Sequence, residues 1–84
     1  MSETALHIDR MEYLDDTRVC YWKTVLGWML YLPGCGVGRL SAHEVEEHSD
    51  GTISVTPSVG MDGHRQGKPT QRHGYLTKGV WTEC

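Results

Sequence analysis

The sequence predicts a small, mostly β domain, and three observations predict it. Apolar residues gather in short β-branched and aromatic runs, clusters of Gly, Pro and Asp punctuate those runs, and 84 residues leave room for one modest core. A chain of this length does not bury both a core and a deep cleft, so a small-molecule active site is not expected. Residues 1–84 are read as a single domain.

From Thr4 to Arg18, the apolar residues Ala5, Ile8, Met11 and Leu14 recur at every third position. That spacing admits one short N-terminal amphipathic helix, although it drifts from a 3.6-residue period. Asp15-Asp16-Thr17 reads as a turn, because short polar side chains can bond the backbone two residues on. Val19 to Lys23 and Val25 to Leu32 are aromatic and β-branched and predict two core strands, with Thr24 or Gly27 marking a bend.

Pro33-Gly34-Cys35-Gly36 cannot continue a strand and predicts a tight, knuckle-like turn. His43 to Asp50 is acidic and reads as a solvated loop ending in the turn Ser49-Asp50-Gly51. In Thr52-Ile53-Ser54-Val55-Thr56 the alternation places Ile53 and Val55 inward and the hydroxyls outward. Met61 to Pro69 has Met61 as its main apolar residue before the closing proline and predicts an exposed loop. Gly74-Tyr75-Leu76, Thr77-Lys78-Gly79 and Val80-Trp81-Thr82 then predict a β-hairpin in which glycine takes the positive φ. With few aliphatic residues, Trp22, Trp28, Tyr31, Tyr75 and Trp81 are expected mostly in the core, with one a candidate exposed anchor.

The net charge of −3 is unevenly spread: residues 1–50 balance at −5 and residues 51–84 at +2. Direct nucleic-acid binding is disfavoured, since phosphate neutralisation calls for a basic excess. An acidic face meeting a basic partner is expected instead. The start of the chain has no basic, apolar leader pattern and no apolar run approaches a membrane span, so no membrane partner is expected. Cys20, Cys35 and Cys84 are odd in number and widely spaced, which argues against a disulfide framework and suits a reducing cytoplasmic compartment.

Few constellations carry chemistry. Small residues around Cys35 let backbone N–H groups turn toward its sulfur, as in a zinc knuckle, but position 32, where a first ligand belongs, is Leu. His73, His64, Cys84 and Cys20 are the other available ligands, and an inert thiol in a glycine-rich turn is the plainer reading. His43 and His48 stand five apart around Glu44, Glu46 and Glu47, one residue too far for the two histidines of H-E-x-x-H. Asp15 and Asp16 are adjacent and point apart. No G-x-S-x-G elbow occurs, and Gly34-Cys-Gly-Val-Gly38 is followed by no helical pattern. No catalytic residue is assigned.

The order of the remaining motifs resembles a family of small phage and prophage proteins with a zinc-ribbon-like pattern: C-P-x-C-G, then D-G-x-x-x-x-x-P-S, then C-H-x-F-x-x-x-G and a terminal Cys/His pair. The matching stretches are Leu32-Pro33-Gly34-Cys35-Gly36, Asp50-Gly51 through Pro57-Ser58, and Arg72-His73-Gly74-Tyr75 through Gly79. Leu32 and Arg72 stand where the family has its first and third cysteines, leaving Cys35, His73 and Cys84 as carried-over metal residues. A site lacking two ligands loses most of its affinity, so the resemblance implies a degenerate zinc ribbon that holds no cofactor.

These readings converge on a non-enzymatic, phage-type accessory protein of the host cytoplasm that binds a host macromolecule. It is expected to inhibit a nucleic-acid-handling defence complex, as anti-CRISPR proteins do, by placing carboxylates in a groove meant for phosphates. Asp15, Asp16, Glu44, Glu46 and Glu47 are the expected contact residues, with the aromatic side chains. The alternatives are a zinc-stabilised module binding nucleic acid through Arg65, Lys68, Arg72 and Lys78, and a small hydrolase pairing Cys35 or Cys84 with His73.

Overall fold

The period-two runs form strands, and the turn signals between them fold those strands into two sheets. The structure is a computed structural model; it describes residues 2–65 and 68–84, and all of their side chains except those of 64, 65, 68 and 70. In chain order the elements are β1 (Ser2–Thr4), β2 (Leu6–His7), a 3-10 turn (Met11–Tyr13), β3 (Cys20–Thr24), β4 (Gly27–Leu32), β5 (Gly36–Arg39), β6 (Glu44–Glu47), β7 (Ile53–Arg65), β8 (Lys68–Thr77) and β9 (Val80–Glu83). One sheet has five strands in the order β1-β9-β8-β7-β6, and the other has four in the order β2-β3-β4-β5. Among the described residues no helix is long and apolar enough to cross a membrane.

The main core lies between the sheets. Val19, Tyr21, Leu30 and Leu32 from the four-stranded side meet Ile53, Val55, Leu76 and Trp81 from the five-stranded side, all essentially without exposure. Burying an aliphatic or aromatic side chain of this kind contributes roughly 1.5–3 kcal/mol, so this layer carries most of the stability. The opposite face of the four-stranded sheet is also covered, by the segment that follows β2. There Ile8 packs on Cys20 and Trp22, with Leu6, Leu14, Met29 and Tyr31 around them.

That double burial overturns the N-terminal helix. Ser2–Thr4 pairs with β9 of one sheet, Leu6–His7 runs parallel to β3 of the other, and Ala5 sits buried at the crossing with its N–H on Gly79 O at 2.8 Å. In an extended chain, residues three apart face opposite ways. Ala5 therefore enters the main core and Ile8 the outer cluster, and a period of three that resembles a helix is a strand buried on both sides.

The other corrections have similar causes. The predicted strand Val25–Leu32 begins at Gly27, because Val25 and Leu26 form the turn of the β3–β4 hairpin, whose ends pair as Thr24↔Gly27. Gly36–Arg39 pairs with β4 as a further strand despite its glycines. The predicted loop Met61–Pro69 is instead the outer part of the long β7–β8 hairpin, paired from Gly60↔His73 to Arg65↔Lys68. Gly63 serves packing: a Cβ there would stand 2.5 Å from Cys35 Cα, so only Gly lets the β4–β5 turn rest on β7. The expected acidic loop contains a short edge strand, β6, whose register Glu44↔Thr56 to Glu47↔Ile53 extends the five-stranded sheet.

The predicted turns form as the side chains dictate. Asp15 Oδ1 accepts from the N–H (3.0 Å) and hydroxyl (2.6 Å) of Thr17, and Asp50 Oδ1 does the same for Thr52 at the same distances. The β8–β9 hairpin closes through Lys78 (φ 48°) and Gly79 (φ 75°), the two left-handed positions of a type I′ turn.

Candidate binding surface

Strand alternation leaves the outer face of the five-stranded sheet uncovered. Ile53, Val55, Val59 and Leu76 point into the core, so Ser54, Ser58, Tyr75 and Thr77 point out. On edge strand β6 the same rule turns Glu44 and Glu46 outward, opposite Thr56 and Ser54. A shallow depression of about 520 Å³ is lined by Glu44, Val45, Glu46 and Thr56. Further along the face Tyr75 is 49% exposed, beside exposed Val80 on β9. Among the described residues neither Glu44 nor Glu46 has an ion-pair partner.

The hydroxyls of this face are held in place. Ser54 Oγ accepts the Lys78 N–H at 2.9 Å and lies 2.8 Å from His48 Nε2. Ser58 Oγ lies 2.7 Å from His73 Nε2, while the Ser58 carbonyl meets His43 Nε2 at 3.3 Å.

The five expected acidic contacts do not form one patch. Only Glu44 and Glu46 share this face. Glu47 points the other way along β6: its Oε2 accepts from Lys23 Nζ (2.9 Å) and from the Trp28 indole N–H (3.3 Å), which together hold its carboxyl below the usual range. Asp15 closes its own turn, and the bonds from Thr17 lower its pKa. Asp16 is exposed beside it, its carbonyl accepting from the Tyr31 hydroxyl at 3.0 Å, at the start of β3 where Glu47 stands near the end. Of the aromatic set, Trp22 and Trp81 are buried and Tyr75 is the exposed member.

The carried-over metal residues are divided by the sheet. Cys35 rests on the inner face of β7, its Sγ 3.4 Å from Met61 O, whereas His73 is on the outer face with Ser58. Cys84 is exposed at the end of β9 with its N–H on His73 O at 2.8 Å. Cys20 lies in the outer cluster under the N-terminal segment, where burial pushes its thiol up. The His64 side chain is outside the described residues. Among the described residues no three His, Cys, Asp or Glu side chains converge on a metal position.

Arg72 turns inward: Nε donates to Glu83 Oε1 at 2.7 Å, Nη2 bonds the same oxygen, Nη1 reaches Pro33 O at 3.3 Å, and the guanidinium lies 6.0 Å from the Trp81 ring centre. Arg72 thus ties the β4–β5 turn to β8 and β9. Lys78 is exposed, and the side chains of Arg65 and Lys68 are outside the described residues.

The hydrolase pairing of Cys35 or Cys84 with His73 gives way to Ser58 as the side chain bonded to the His73 ring. The sequence carries no signal that pairs Ser58 with His73, because the contact spans the β7–β8 pairing. Set against protein-family models, curated proteins and solved structures, the chain matches none of them.

Proposed function

We propose that this chain is a non-enzymatic binding protein that engages a basic macromolecular partner through the outer face and β6 edge of its five-stranded sheet. The observation that carries this reading is an uncovered sheet face bearing the carboxylates of Glu44 and Glu46, which have no ion-pair partner among the described residues, and the exposed ring of Tyr75. Unpaired carboxylates steer a basic partner, and an amphipathic aromatic ring supplies contact area at low entropic cost. In the setting of the phage family it resembles, such a partner is a host nucleic-acid-handling complex whose phosphate groove the carboxylates occupy. The three free thiols fit the reducing host cytoplasm in which that complex works.

Affinity capture from bacterial lysate tests the reading, with the Glu44→Lys/Glu46→Lys and Tyr75→Ala variants beside the parent. Retention of one protein should fall in each variant and with rising salt. Equal capture by parent and charge-reversed protein would remove the electrostatic basis.

A further inference from the structure

The last strand of a sheet turns every second residue's N–H and C=O away from its neighbour, toward whatever lies beyond. β6 is the last strand of the five-stranded sheet, and no other strand among the described residues pairs with it except β7. Its hydrogen-bond phase is fixed from two sides. The His48 N–H donates to Thr52 O at 2.9 Å, so the alternate pairs Glu46↔Ser54 and Glu44↔Thr56 also exchange their backbone bonds with β7. On the far side of β7 the Gly79 N–H donates to Ile53 O at 3.0 Å, which places Ile53, the register partner of Glu47, with its backbone turned away from β6. Val45 and Glu47 therefore point their N–H and C=O groups to the open edge.

The other edges offer a partner less. On β1 the Thr4 carbonyl is taken by Arg18 Nη2 at 3.1 Å, β2 is two residues long, and β5 alternates glycine with Val37 and Arg39. On β6 the side chains decide what the edge selects. Glu44 and Glu46 stand on the outer face at alternate positions, with no ion-pair partner among the described residues, and they line the shallow depression with Val45 and Thr56. A strand laid along β6 places its own alternate side chains directly opposite these two carboxylates, where unlike charges stabilise the pairing and like charges oppose it. A second copy of β6 is thus repelled, and a basic segment is selected.

We propose that β6 accepts an extended segment of a protein partner as an added strand, with Lys or Arg at alternate positions opposite Glu44 and Glu46. The backbone groups of Val45 and Glu47 supply the main-chain bonds, and the two carboxylates supply the choice of sequence. This rests on the binding reading above and adds its mode of recognition.

The test titrates the isotope-labelled protein with acetyl-Thr-Lys-Thr-Lys-Thr-Lys-Thr-amide, and with a peptide of the same composition whose lysines are contiguous, and follows amide hydrogen exchange by NMR. The alternating peptide should bind about tenfold more tightly than the block peptide. Its saturation should slow exchange of the Val45 and Glu47 amides, while those of Glu44 and Glu46, already bonded to β7, change little. With the lysines opposite Glu44 and Glu46, the inner threonine N–H groups face β6, so N-methylation of those threonines should abolish binding and N-methylation of the lysines should spare it. Glu44→Lys/Glu46→Lys should lose the alternating peptide as well. Equal binding of the two peptides without protection of Val45 and Glu47 would overturn the added strand and leave the acidic surface standing. Binding of neither peptide, while capture from lysate still depends on Glu44 and Glu46, would do the same. Binding of neither, with capture indifferent to Glu44→Lys/Glu46→Lys, overturns both.

Discussion

Lys23 and Glu47 join the two sheets at one end of the domain, with Nζ of Lys23 2.9 Å from Oε2 of Glu47 and the Trp28 indole N–H donating to the same oxygen at 3.3 Å. The pair is half-exposed and contributes little to stability, but it removes Glu47 from the free carboxylates of β6. Glu47→Gln should accordingly leave partner capture unchanged while shifting the Trp28 indole N–H resonance. Glu44→Lys should do the reverse. Two-dimensional NMR of each variant beside a capture assay checks both outcomes.

The core between the sheets should respond as a single unit. Leu30→Ala, which empties a fully buried site between Tyr21 and the five-stranded sheet, should cost about 2–5 kcal/mol, and Ile53→Val about 0.5–1.5 kcal/mol. Denaturant unfolding measures both; a Leu30→Ala cost below that of Ile53→Val would contradict the packing described.

Two glycines are predicted to be sensitive for steric reasons. A Cβ on Gly74 would stand 2.3 Å from Thr82 O and 2.8 Å from Trp81 Cζ2, and one on Gly63 would meet the Cys35 backbone, whereas on Gly60 the nearest atom is His73 Cδ2 at 3.4 Å. Gly74→Ala and Gly63→Ala should each lose about 1–3 kcal/mol or more, and Gly60→Ala distinctly less. Thermal unfolding of the three variants ranks them.

Lys78 holds a left-handed conformation (φ 48°) that Asn adopts more readily, next to Gly79 in the type I′ turn. Lys78→Asn creates the preferred Asn-Gly pair and should raise stability by up to about 1 kcal/mol. A loss of stability in the denaturation midpoint would show that the Lys78 side chain contributes more than its backbone costs.

Acid should unfold the protein through its depressed carboxylates. Burial pulls the Glu83 carboxyl up, but hydrogen bonds from Trp81 and Arg72 prevail and hold it below its ordinary value; Asp15, Glu47 and Asp50 are lowered by their own hydrogen bonds. A folded-state pKa below the unfolded one gives stability that is present above the unfolded value and lost as pH falls through the folded value. The melting temperature should therefore hold from neutrality to about pH 5 and drop below about pH 4. Glu83→Gln should be less stable at neutral pH and lose less on acidification, so that the two curves converge.

What the sequence by itself determined is local: a mostly β chain, the Asp15 and Asp50 turns, the inward alternation of Ile53 and Val55, and the β8–β9 hairpin with its left-handed glycine. Each of these is written within a few residues, because side-chain alternation and short polar caps act over that range. Tertiary structure decided everything that depends on which strands pair and which faces are covered. It sent Ala5 and Ile8 to opposite sides of one sheet, set Cys35 and His73 on opposite faces of the other, brought Ser58 to His73, and separated Glu47 from Glu44 and Glu46. A strand's sequence shows that it has two faces, but which face meets solvent is fixed only by partners far away in the chain.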